Sequence, residues 1–202
     1  RFGEYADKKY LLEKNEEAYA NVFTIHYPDE ERSAARPKKT APCYERLKKL
    51  RAVFGQKFGW ERANWFAPNG VPQEDHWSFR RSKWFKHVGN ECLNVAKNVG
   101  ILDMSAFAKC RISGKGAESF LNYLVANKIP KKIGRVNLCH ALNTRGGVHS
   151  EFTIMREKDD SFYLVSAGAW QRLDHDWIQK WMPTDGSVKY ENITDEMGVL
   201  VL

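Results

Sequence analysis

The 202-residue sequence has no apolar run of the roughly 20 residues that a bilayer-crossing helix needs, so no membrane is expected as a partner. Its four cysteines, Cys43, Cys92, Cys110 and Cys139, are scattered and form no C-x-x-C pair. That argues against a zinc knuckle or a disulfide scaffold and for reduced thiols in a reducing compartment. His140 and His149 have no partner at metal-site spacing, so no metal is expected. Gly114-Lys115-Gly116 lacks the G-x-x-x-x-G-K-[ST] layout of a phosphate loop. Ser105, Ser150 and Cys139 lie in no G-x-S-x-G frame with a visible base, which leaves nucleophilic catalysis without support. Arg1-Phe2-Gly3-Glu4 is neither a signal nor a transit peptide. There is no initiator Met, and Gly198 to Leu202 forms an apolar strand with no successor, so the chain is expected to be a piece of something longer.

Apolar residues are in ordinary supply at 43%, with seven Trp and eleven Phe, enough for a sizeable core. The formal charge of +7 leaves an anionic partner open. Basic residues are interleaved with acids and form no stripe, so nucleic acid is not the expected partner even though Trp60, Trp65, Trp77 and Trp84 could in principle stack on bases.

Periodicity predicts helices over Asp7 to Phe23, Cys43 to Val53, Lys83 to Asn98, Ala117 to Ala126 and Trp170 to Met182. In the fourth, Phe120, Leu121 and Leu124 face inward; in the last, Leu173, Trp177 and Trp181 do. Asp29 to Thr40, rich in charge, reads as a solvated linker. The aromatics between Phe54 and Phe66 are too dense for a free linker; they either plug the segment onto another surface or form a platform for a flat ligand. Pro68 to Arg80 is a surface loop. Strands are expected at Gly100 to Ser105, Phe107 to Ile112, Ser161 to Ala167, Val188 to Ile193 and from Gly198 onward.

Two further strands, Val136 to Leu142 and Val148 to Met155, meet at Arg145-Gly146-Gly147 as a hairpin. Alternation puts Glu151, Thr153 and Met155 on one side of the second strand and Phe152 and Ile154 on the other. If the latter pair faces the core, Glu151 stands at the mouth of whatever the opposite face lines. Spacing alone leaves open a solvated glutamate beside a turn. The whole pattern reads as α+β, an antiparallel sheet with packed helices.

An ordered series of short stretches carries a resemblance over nearly the whole chain. It comprises Glu61-Arg62-Ala63-Asn64-Trp65-Phe66, Glu91, Val99 to Ser105, Gly134-Arg135, Leu142-Asn143 with Gly146-Gly147, and Asn192 to Val199. It resembles the folate-binding half of the dimethylglycine and sarcosine dehydrogenases, which is similar in turn to the aminomethyltransferase, or T-protein, of the glycine cleavage system. The resemblance implies a connector over residues 1 to 55 leading from a flavin domain, and the first part of a T-protein-like fold over 56 to 202. It implies FAD in that absent N-terminal domain, an N-methyl amine as substrate there, and tetrahydrofolate bound by the part seen here, with capture of the one-carbon unit as 5,10-methylenetetrahydrofolate. It places the acid of the folate site at Glu151, where the commoner residue is Asp, and the walls of the pterin pocket at Phe107, Leu138, Thr153, Met155 and Ser166. A non-catalytic regulatory relative with the same fold is the alternative it allows. The compartment implied is the cytoplasm in a bacterium or the mitochondrial matrix in a eukaryote.

Overall fold

A computed structural model describes residues 3–202, which separate into two compact units. One takes in the chain up to Asp103 together with Leu200–Leu202; the other is Met104–Val199.

In the first unit, α1 (Lys8–Ala20) starts at Asp7, whose carboxylate accepts a hydrogen bond from the Tyr10 amide at 3.0 Å, a standard way to satisfy a free helix donor. The second helix, α2 (Tyr44–Lys49), is shorter than periodicity suggests. Arg51 takes a positive φ of 68°, and the chain turns into β1 (Ala52–Lys57), which pairs antiparallel with β2 (Trp60–Phe66). The aromatic segment is therefore a hairpin. Its turn residues Phe58 and Gly59 both have positive φ, 52° and 87°, as a two-residue hairpin loop requires. Trp60 and Trp65 are buried, and Trp65 Nε1 donates to Asp75 at 2.8 Å, so these two rings plug a core instead of offering a platform. Trp65 packs with Val53 and Ala67, against which Val88 and Trp84 of α3 (Phe85–Lys97) and its N-cap rest. A short β3 (Leu102–Asp103) pairs with β9 (Leu200–Val201).

The charged run before α2 is not a solvated linker. Arg36 makes a two-pronged contact with Glu61, Nε to Oε1 at 2.9 Å and Nη2 to Oε2 at 2.6 Å, and also donates to the Phe54 carbonyl. The Lys39 carbonyl accepts from the Glu61 amide at 2.8 Å, and the Lys39 ammonium lies 4.3 Å from the centre of the Trp60 ring. Glu61 is itself buried, and Arg36 is the cation paired with it. Arg36→Met is expected to lower the stability of this unit by about 3 kcal/mol, read by urea unfolding, because an unpaired buried carboxylate remains.

The second unit is built on a five-stranded antiparallel sheet. Its strands are β4 (Ala108–Ser113), β5 (Val136–Leu142), β6 (Val148–Lys158), β7 (Ser161–Ser166) and β8 (Lys189–Asn192), ordered β5-β6-β7-β4-β8. The mixed helix and antiparallel-sheet architecture agrees with the sequence reading. Helices α4 (Ala117–Leu124) and α5 (Gln171–Trp181) cover one face. That face buries Cys139, Phe152, Ile154, Phe162, Leu164 and Ile112, and Phe120, Leu121 and Leu124 of α4 point into it as expected. The opposite face carries Thr153, Leu138 and Val165, matched across strands, and stays open among the described residues.

Helix α5 departs from expectation in phase. Its buried positions are Asp174 and Ile178, with Trp177 and Trp181 partly buried against the core, while Leu173 is exposed. A stripe read only from apolar residues selects 173, 177 and 181; the true stripe contains a carboxylate, which periodicity scores as outward.

Gly114-Lys115-Gly116 is a structural corner. Gly114 has φ +109°, its amide donates to the Asp160 carbonyl, and a Cβ there would run into the Ser187 carbonyl oxygen. Gly114→Ala is expected to lower the unfolding free energy of this unit by about 2 kcal/mol or more, since neither the backbone angle nor the neighbouring backbone can give way easily.

Candidate functional site

The hairpin between β5 and β6 is closed by a side chain. Asn143 Oδ1 accepts from the Arg145 and Gly147 amides at 2.9 and 3.1 Å, and Gly146 supplies the positive φ of 79°. Just beyond it the register slips: Ala141 lies opposite Ser150, but Leu142 lies opposite Val148, leaving His149 as the extra residue of a β-bulge. The bulge places His149 against helix α5, stacked on Trp177 at 3.9 Å between ring centres.

Beside this bulge lies a pocket of about 430 Å³, within the range of small-molecule sites. Phe107, Trp170, Val165 and Ala167 give it apolar walls; Glu151, Thr153 and Ser166 bring polar groups to it. Four of the six residues singled out from the sequence thus meet here: Glu151, Phe107, Thr153 and Ser166. Leu138 and Met155 do not line the pocket. Leu138 shares the open face as the cross-strand partner of Thr153, and Met155 lies two residues farther along β6, opposite Val136 and Tyr163.

The Glu151 side chain is 59% exposed, with one oxygen 3.1 Å from His140 Nε2 on the neighbouring strand. Its surroundings are held from below by Asp174, a residue that sequence reasoning passed over. Buried at 4% exposure, Asp174 accepts from the Ser150 hydroxyl and from the Ser166 hydroxyl, the latter at 2.6 Å. Ser150 precedes Glu151 on β6 and Ser166 ends β7, so one carboxylate on α5 ties both strand ends that frame the pocket. Both Ser150 and Ser166 thus donate their hydroxyl protons to Asp174. The signal available in the sequence was the polar residue at 174 four positions before Ile178, on a helix whose tryptophans fit either phase.

Burial, reinforced by the charge of Asp174, pushes the Cys110 thiol up from 9.0 to about 12. Burial first, then Cys110 and Asp174, also pushes the Tyr190 hydroxyl upward. Cys110 is therefore an inert core thiol. Both groups hold their protons more tightly when folded; for Cys110 the contribution is complete below the unfolded value of 9.0 and is lost as pH rises toward about 12. Stability of this unit is expected to fall between those limits in thermal melts, with a shallower slope in Cys110→Ala; an unchanged slope would rule out the thiol as a source.

Among the described residues no group of His, Cys, Asp and Glu is arranged to hold a metal ion, and no helix is long and apolar enough to cross a membrane.

Comparison with known proteins adds two matches along the chain. Residues 43–202 match the family described as GCVT N-terminal domain, and residues 1–41 match that described as FAD dependent oxidoreductase central domain. Dimethylglycine dehydrogenase, mitochondrial, of Rattus norvegicus is 35% identical over 201 residues, covering 99% of this chain and 23% of its own length. Pyruvate dehydrogenase phosphatase regulatory subunit, mitochondrial, of Mus musculus is 28% identical over 203 residues, covering 96% and 23%. The chain thus spans about a quarter of the length of these curated relatives. Among solved structures, the glycine cleavage system aminomethyltransferase T from Bartonella henselae aligns with TM-score 0.60 and 22% identity, over 76% of this chain and 37% of that one, a likeness of fold.

Proposed function

This chain belongs to the GCVT N-terminal domain family, and from that premise we propose that it is the tetrahydrofolate-binding part of a flavin-dependent N-methyl amine dehydrogenase of the dimethylglycine and sarcosine type. The observation that carries the reading is the position of Glu151 at the edge of a pocket of about 430 Å³ whose walls include Phe107, Trp170 and Val165. The donor set suits a pterin: flat apolar and aromatic walls for the ring and a carboxylate for the nitrogens that lose protons.

Bound tetrahydrofolate supplies the nitrogens that take up the one-carbon unit. Phe107, Val165 and Trp170 would supply apolar surface against the ring. Thr153 offers a hydroxyl from the same strand as Glu151. Glu151 stabilises positive charge during capture and accepts a proton from the attacking nitrogen. An iminium and tetrahydrofolate give the free amine, 5,10-methylenetetrahydrofolate and one proton, and that proton is the one assigned to Glu151.

In this reading FAD is carried by a flavin domain preceding residues 1–41, where the amine is oxidised. The compartment is the mitochondrial matrix in a eukaryotic source and the cytoplasm in a bacterial one. The test is equilibrium binding of tetrahydrofolate to the full-length gene product. Saturable binding that weakens on Phe107→Ala is expected; absence of binding by the wild-type protein would overturn the proposal.

A further inference from the structure

Glu151 has a partner whose protonation can be read from the hydrogen-bond pattern. His140 and Glu151 lie directly opposite each other on β5 and β6. The His140 amide donates to Asn127 Oδ1 at 2.7 Å, and its carbonyl accepts from the Ala126 amide at 2.9 Å. Both backbone groups therefore point away from β6, the arrangement in which paired side chains come closest. The imidazole, with its side chain 31% exposed, reaches two partners: Nδ1 is 3.2 Å from Asn127 Oδ1, and Nε2 is 3.1 Å from Glu151 Oε2.

The identity of each group fixes the protons. A backbone amide can only donate, so the Asn127 atom that it meets must be the carbonyl oxygen. That same oxygen faces Nδ1, so Nδ1 must carry a proton. In a neutral ring, Nε2 is then a bare acceptor pointing at a carboxylate oxygen, itself an acceptor, and two acceptors at hydrogen-bond distance repel. The contact is attractive only with a proton in the bridge.

We propose that His140, with its tautomer set by Asn127, is the positioning residue of Glu151: it shares one proton with Oε2 and leaves Oε1 as the oxygen available to the pocket. This rests on the folate reading given above. During capture, the proton lost by the attacking folate nitrogen passes to Oε1. No further reagent is needed, because the exposed carboxyl returns that proton to solvent. Tethering one oxygen fixes the carboxylate plane, which would otherwise swing freely on a side chain more than half exposed. It thereby offsets the conformational entropy of glutamate at this position.

The test has two arms, both using the full-length gene product. In the first, imidazole 15N-labelled protein is examined by NMR near neutral pH. The expected result is a proton on Nδ1 together with a downfield proton in the Nε2 bridge that disappears in Glu151→Ala. A neutral ring protonated only on Nε2, or a bridge signal indifferent to Glu151→Ala, would overturn the inference. This arm needs no folate, so it fails or succeeds independently of the functional reading.

In the second arm, methylenetetrahydrofolate formed per amine oxidised is compared among variants. His140→Leu is expected to lower it about tenfold through kcat rather than KM. His140→Gln, which can still donate to Oε2, is expected to stay within about threefold of wild type; these ratios correspond to the loss or retention of one oriented group. Equal losses in both variants, with both proteins folded, would assign His140 a packing role and overturn the proposal. Should Glu151 variants leave the same ratio untouched while the NMR bridge is present, the folate reading fails and the His140–Glu151 pairing stands.

Discussion

Asp174→Ala is expected to lower the unfolding free energy of the Met104–Val199 unit by about 3 to 5 kcal/mol in urea denaturation. The carboxylate is buried at 4% exposure and takes hydroxyl protons from Ser150 and Ser166. Deleting it leaves two buried hydroxyls without their acceptor. Hydrogen bonds to a charged acceptor contribute about 1.5 to 3 kcal/mol each, and two are lost together. Asp174→Asn should be milder, about 1 to 2 kcal/mol, because one amide oxygen remains and a hydroxyl can rotate to accept from the amide nitrogen. A loss below about 1 kcal/mol for the alanine variant would mean that the strand ends are held by something other than this carboxylate.

The second large effect is chemical. Glu151→Ala is expected to lower capture of the one-carbon unit by about a hundredfold, in the range found when a positioned general base is removed. Because the side chain is exposed and points away from the core that Phe152 and Ile154 of the same strand enter, folding should be little affected. Glu151→Asp retracts the carboxylate by one methylene, or about 1.5 Å, and releases the contact with His140. Capture is expected to drop about tenfold or less, since the charge is kept and only its placement suffers. Loss of stability in Glu151→Ala comparable with that in Asp174→Ala would place Glu151 among the structural groups.

Much of the second unit is legible in the sequence because local patterns and tertiary demands agree there. The alternation along β6 separates Phe152 and Ile154 from Glu151 and Thr153, and the buried core uses that separation. The glycines of the hairpin loop announce the turn. What escapes is whatever requires a polar group in an apolar place. Asp174 lies in the buried stripe of α5, and Arg36 with Glu61 forms a half-hidden ion pair across 25 residues. Neither follows from hydrophobic periodicity, since each is stabilised by a partner distant in the chain. The β1–β2 hairpin was obscured for a different reason: Phe58-Gly59 is not one of the usual hairpin dipeptides, and a phenylalanine at positive φ is not a turn signal.

The pocket was legible in part. Glu151 and Thr153 come from β6, Ser166 from the end of β7 and Phe107 from the residue before β4, and the sheet order gathers them at a single corner. Leu138 and Met155 share the face with them but lie outside that corner, because strand alternation identifies a face and not a position along it. His140 was visible only as a histidine on a strand. Its relation to Glu151 depends on the register, which pairs residues 140 and 151 across the bulge-bearing hairpin.

The central claim is tested most directly by following the one-carbon unit. In the full-length gene product supplied with an N-methyl amine and tetrahydrofolate, the ratio of 5,10-methylenetetrahydrofolate to free formaldehyde is measured for wild type and for Glu151→Ala. The account expects methylenetetrahydrofolate to dominate in the wild type and formaldehyde in the variant. An identical ratio in the two proteins would contradict it.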